Sequence, residues 1–127
     1  MSHNRYHNLE DYLAHLNDEH RPVIERLREI FLAQEWVVES TKRDTLHFKY
    51  PNGMRVYINT KVQKYPVLGV SRGAKMIKMY PALAGLFDET MKVVGKIVLP
   101  DLESIQIKGI EALANLCADM PEGMGVL

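Results

Sequence analysis

Between residues 45 and 59 apolar and polar side chains alternate, and one short interruption fixes how the two halves must meet. Leu46, Phe48 and Tyr50 alternate with Thr45, His47 and Lys49. Met54, Val56 and Ile58 alternate with Arg55, Tyr57 and Asn59, and Pro51-Asn52-Gly53 stands between the two sets. A period of two is that of a β-strand with one face buried. A three-residue loop, with Pro51 and Asn52 in a type I turn and Gly53 left-handed, pairs Tyr50 with Met54, Phe48 with Val56 and Leu46 with Ile58. A two-residue Asn52-Gly53 loop would set Lys49 against Val56 and mix the faces, so the alternation selects the longer loop. The polar row then places Lys49 opposite Arg55, His47 opposite Tyr57 and Thr45 opposite Asn59.

The rest of the chain supplies cover for such a sheet. Leu9, Tyr12, Leu13 and Leu16 predict a helix over residues 9–16. Val23, Ile24, Leu27, Ile30 and Phe31, with Pro22 in the first turn, predict a second helix to about Ala33. Strands are expected from Trp36, over 65–70 and over 93–99, the last with Gly95 as a possible bulge. A short helix should follow Ser71-Arg72-Gly73. A C-terminal helix capped near Ser104 carries Ile107, Ile110, Leu113, Leu116, Cys117 and Met120. Trp36, Tyr80 and Phe87 are expected in the core. Runs of helices and strands favour α+β: an antiparallel sheet of about five strands, with N- and C-terminal helices mainly on one face. The other face of such a sheet can meet water.

At 127 residues the chain is long enough for one good core and short for two, so a single domain over 1–127 is expected, with 1–7 and 121–127 as loose ends. One cysteine excludes an internal disulfide and suits a reducing, cytoplasmic setting. No apolar run could span a bilayer, and the first residues lack the apolar core of a signal peptide.

Sixteen basic residues balance sixteen acidic ones, which excludes coating nucleic acid by bulk charge. The charges are segregated. Residues 10–39 hold eight acids and three bases, 40–80 hold nine bases and one acid, and 81–127 hold seven acids and three bases. One interpretation is mutual neutralisation on folding; the other is two faces of opposite sign. In the second, His47, Lys49, Arg55 and Tyr57 form a surface for an acidic protein or a small anion. Single-stranded nucleic acid is not expected there, because only Tyr57 offers a stacking ring.

Two further groups are candidates. His7, Asp11, His15 and Glu19 recur every four residues on the first helix, with Asp18 and Glu10 nearby. Histidine with carboxylate at that spacing suits a divalent transition metal such as iron, though a solvated helix face gives the same pattern. Ser71, Arg72, Gly73 and Lys75 stand where a strand meets a helix start, where free N–H groups attract phosphate or carboxylate; simple capping is the alternative. Ser71 and Ser104 have no activating base at a recognised spacing, and Cys117 lies on an apolar helical face.

Leu9-Glu10-Asp11-Tyr12-Leu13-Ala14-His15-Leu16 followed by Val23-Ile24-Glu25-Arg26-Leu27-Arg28-Glu29-Ile30 resembles the paired N-terminal helices of the YdhG-like family. Val67-Leu68-Gly69-Val70-Ser71-Arg72-Gly73-Ala74 is similar to its strand-to-helix segment. Gly95-Lys96-Ile97-Val98-Leu99 with Leu102-Glu103-Ser104-Ile105 is similar to its last strand and final helix entry. The resemblance implies an α+β fold. It also implies a frataxin-like iron chaperone role, with Glu10, Asp11, Asp18 and Glu19 as iron contacts and the sheet face for delivery to a protein. The sequence therefore leads to a non-enzymatic intracellular binding domain, monomer or homodimer, that handles iron weakly. A small-anion module built on Ser71–Gly73 is the competing expectation.

Overall fold

The computed structural model describes residues 9–14, 16, 18–42, 45–60, 65–90, 95–99 and 106–121. The expected loose ends, Pro121 apart, lie outside them. Helices α1 (Leu9–Ala14) and α2 (Arg21–Leu32) lead into strands β1 (Val38–Lys42), β2 (Thr45–Lys49), β3 (Arg55–Asn59) and β4 (Val67–Val70). Helix α3 (Gly73–Met79), a 3-10 helix (Pro81–Leu86), β5 (Glu89–Thr90), β6 (Gly95–Val98) and α4 (Ile107–Ala118) follow. The fold is α+β. Its antiparallel sheet runs β1-β2-β3-β4-β6-β5, five full strands with the two-residue β5 at one edge.

The central hairpin has the register its alternation demands. Lys49 pairs with Arg55, His47 with Tyr57 and Thr45 with Asn59. The Tyr50 N–H donates to the Met54 carbonyl at 2.9 Å, and Gly53 closes the loop with φ of 92°. That backbone is one glycine adopts without a Cβ clash. Leu46, Phe48, Val56 and Ile58 are wholly buried, so one row of the ribbon faces the helices.

The core is one cluster beneath the helices. Val23, Ile24, Leu27, Ile30 and Phe31 line the buried stripe of α2, and Phe31 stacks on Phe48 with ring centroids 5.3 Å apart. Ile110, Leu113, Ala114 and Cys117 do the same for α4. Arg21 ends α1 by donating to the Leu13 carbonyl at 3.0 Å and the Leu16 carbonyl at 3.4 Å. Leu13 is in the last turn, where a helix leaves carbonyls without their usual intrahelical donor, and Leu16 lies just beyond it. The hairpin loop is tied to α4 by Asn52, whose Nδ2 donates to the carbonyls of Cys117 at 2.8 Å and Met120 at 3.0 Å. Tyr50 adds a bond from its hydroxyl to the Ala114 carbonyl at 2.8 Å.

Three expectations need correction. Trp36 is 76% exposed and sits with φ of 69° in the turn between α2 and β1, so the left-handed backbone turns it out of the core. Gly95 is not a bulge: it pairs in register with Val70 and Thr90, and the Phe87 ring occupies the space a Cβ would need. Helix α4 starts at Ile107 with Gln106 at the N-cap, and Ser104 lies outside the described residues. No helix among the described residues is long and apolar enough to cross a membrane.

Candidate functional site: the outer face of the sheet

The row that points away from the core is assembled from three neighbouring strands. Strand β1 contributes Val38, Ser40 and Lys42, which pair with Lys49, His47 and Thr45 of β2. Strand β3 contributes Arg55, Tyr57 and Asn59. The alternation that buries Phe48 and Val56 therefore exposes Lys49 and Arg55, leaves His47 and Tyr57 half-buried, and brings Lys42 to the same surface. Lys96 of β6 continues the row beyond Gly69, and there it pairs with Glu89 of β5, so the excess of positive charge belongs to the β1–β3 part of the row. Lys61, the expected extension of the basic row, lies outside the described residues.

The centre of this face is ordered by packing. His47 and Tyr57 face each other across the ladder, with ring centroids 5.8 Å apart and planes tilted by 34°. The Tyr57 ring extends over Gly69 on β4, where a Cβ would overlap it. Burial, then the positive charges of Arg55 and Lys42, hold the His47 imidazole below its ordinary value, favouring the neutral ring. Burial also pushes the Tyr57 phenol up. Across β1–β3 the surface is thus cationic at its rim, at Lys42, Lys49 and Arg55, and a neutral aromatic pair at its middle. It can attract carboxylates by charge and cover apolar or planar groups by contact.

The edge of the sheet is braced from the other side. Glu39 of β1 points to the helices and accepts two bonds from Arg28 of α2, at 2.6 and 2.9 Å. That bidentate contact raises the Arg28 pKa. It ties β1 to α2 with a planar, charge-assisted fork.

The other candidates are placed differently. Glu10, Asp18 and Glu19 are exposed, and Asp18 faces Arg21 at 3.8 Å. The side chain of Asp11, and His15 altogether, lie outside the described residues. Among the described residues no three histidine, cysteine, aspartate or glutamate side chains form a group that could hold a metal ion.

At the start of α3, Arg72 departs from the expectation for an anion pocket. It is 1% exposed and donates to the Pro121 carbonyl at 2.9 Å and the Asn52 carbonyl at 3.2 Å. Its guanidinium is turned inward to fasten the chain after α4, so it adds no pull at the surface. Ser71 accepts the Arg55 N–H on its Oγ at 3.0 Å and prolongs the β3–β4 ladder. Gly73 is buried, and the half-buried Lys75 is left without the arginine that the pocket required.

Cys117 is wholly buried beside Met76, and burial pushes its thiol up to about 12. A thiol so placed is neither nucleophile nor ligand at neutral pH.

Lys42, Val38 and Gly69 were not among the expected site residues. Nothing in Val38-Glu39-Ser40-Thr41-Lys42 alternates apolar with polar, and Glu39 rather than Val38 turns inward, so the first two emerge only once β1 is set in register against β2. The third follows only once β4 is set in register against Tyr57. No family model matches the chain, and no curated protein or solved structure shows a significant similarity to it.

Proposed function

We propose that this chain is a non-enzymatic docking domain whose open sheet face binds an acidic segment of a protein partner. The observation that carries the proposal is the cationic row on the solvent side of the sheet: Lys49 directly opposite Arg55, with Lys42 on the adjoining strand. Like charges set opposite each other in a ladder are mutually unfavourable by a few tenths of a kcal/mol, about 0.2–1 at most. A carboxylate-bearing partner converts that repulsion into attraction. Complementary charge of this kind sets encounter rate and specificity as much as affinity.

The test is fluorescence anisotropy with labelled poly-glutamate and, in parallel, labelled oligo-thymidylate. The expected result is salt-sensitive binding of poly-glutamate. The Lys49→Glu/Arg55→Glu double variant should bind it at least about tenfold more weakly, which is about 1.4 kcal/mol. Circular dichroism should show the variant folded, since both side chains are exposed. Unchanged binding by the folded variant, or a preference for the oligonucleotide, would overturn the proposal.

A further inference from the structure

We infer that the partner segment binds in extended form as an added strand along the outer edge of β1, with Trp36 and Val38 as its apolar anchor and Lys42 as its charge contact. This rests on the proposed function and specifies the form of the acidic partner.

Four observations lead to it. Among the described residues strand β1 is at one end of the sheet and pairs only with β2, whereas the other end is closed by the two-residue β5. A five-residue edge leaves N–H and C=O groups directed outward, and an extended peptide can satisfy them. Trp36 and Val38 are the two most exposed large hydrophobic residues described, at 76% and 63%; Val38 opens β1 and Trp36 stands two residues before it in the preceding turn. Trp36 is held at φ of 69°, a backbone that glycine would adopt without strain and that is an outlier for a bulky side chain. A strained, solvent-facing tryptophan is unexplained by packing and is explained by contact with a partner. Finally, Glu39 is locked inward by Arg28, so β1 is held rigid against α2 while its outer row stays open.

The geometry dictates the partner's sequence. Val38, Ser40 and Lys42 occupy one side of β1 at every second position. A strand laid beside it places alternate residues over the same side. The residue beside Lys42 should be acidic and the one beside Val38 apolar, so the partner carries an acid and an apolar residue four positions apart. Basic residues at the acidic position would be rejected by Lys42.

The experiment uses the full chain and a labelled, end-blocked peptide that alternates threonine with glutamate, serine and valine, placing the glutamate and a valine four positions apart. Two further versions carry backbone N-methyl groups on every second amide, one on each parity. The unmethylated peptide should bind. One methylated version should bind at least about tenfold more weakly and the other as the parent does, because only one set of amides faces β1. Trp36→Gly should also weaken binding about tenfold while leaving Tm unchanged or higher, since it removes the anchor and relieves the backbone.

Equal binding by both methylated versions, still lost in the Lys49→Glu/Arg55→Glu variant, would overturn edge pairing and leave the charged face standing. No binding of the peptide or of poly-glutamate would overturn both. Dimerisation of the free protein in sedimentation, abolished by Trp36→Gly, would assign the edge to a second copy and overturn the inference.

Discussion

Tyr57 lies across Gly69 of the neighbouring strand, its ring filling the space that a side chain at Gly69 would need. An aromatic ring over a strand glycine covers backbone that would otherwise face water. The same ring meets His47 on its other side, so one small residue on β4 fixes the centre of the outer face. Gly69→Ala should displace the Tyr57 ring and cost about 1 kcal/mol, as modest overpacking does. Urea unfolding checks the stability, and the His47 ring chemical shifts report the lost contact. A variant as stable as the parent, with unaltered His47 shifts, would contradict this.

Asn52 fastens the hairpin loop to the C-terminal end of α4. Its Nδ2 takes the helix-end carbonyls of Cys117 and Met120 while its Oδ1 accepts the Met54 N–H at 3.0 Å. Asn52→Ala should lose about 1–3 kcal/mol, because three part-buried side-chain bonds between the loop and the end of α4 or within the loop are lost together. Asn52→Asp should lose at least as much, since a carboxylate would face the negative end of the helix. Thermal and urea unfolding of the two variants decide the order.

Arg72 is a structural cation rather than an anion receptor. Arg72→Met should lower stability by about 1–3 kcal/mol through the carbonyls of Asn52 and Pro121 that it leaves unpaired. Inorganic phosphate should leave the Tm of the parent unchanged, because a ligand stabilises only by binding the native state. A phosphate-dependent rise in Tm, absent in Arg72→Met, would reverse this assignment.

The fork between Arg28 and Glu39 holds the sheet edge to α2. Glu39→Gln keeps the shape and removes the charge, and should cost about 1–2 kcal/mol, below the figure for a wholly buried pair because Arg28 is partly exposed. Amide hydrogen exchange in β1 should accelerate more than in β3. Uniform acceleration would show that the contact supports the whole fold rather than the edge.

His47 makes stability depend on pH. Burial first, and Arg55 and Lys42 after it, hold its folded pKa below the ordinary 6.5. The unfolded chain therefore takes up a proton at higher pH than the folded one. This contribution is complete above the unfolded value and is lost as pH falls toward the folded one. Between about pH 7.5 and about pH 5 the parent should lose more Tm than His47→Gln does. Parallel losses in the two proteins would contradict it.

Much of this architecture was legible where periodicity and turn chemistry agreed. The residues from Thr45 to Asn59 carry a two-residue period, and Gly53 supplies the one left-handed turn position, so register and both faces followed directly. The stripes of α2 and α4 were equally explicit. What was not legible depended on contacts distant in sequence. Arg72 looked like a surface cation because nothing nearby shows that carbonyls of residues 52 and 121 would claim it. Trp36 looked like core because its size suggests burial, while its exposure follows from a local backbone angle that propensity does not record. Gly95 looked like a bulge, and only its approach to Phe87 reveals why no side chain fits.

The central claim is that ligands of this protein are acidic and meet the outer side of the sheet. A ¹H–¹⁵N titration of the folded chain with oligo-glutamate reads this directly. The account predicts shift changes concentrated at Lys42, His47, Lys49, Arg55 and Tyr57, fading as salt rises, with α2 and α4 unmoved. Changes confined to the helices, or none on the sheet at saturating peptide, would contradict it.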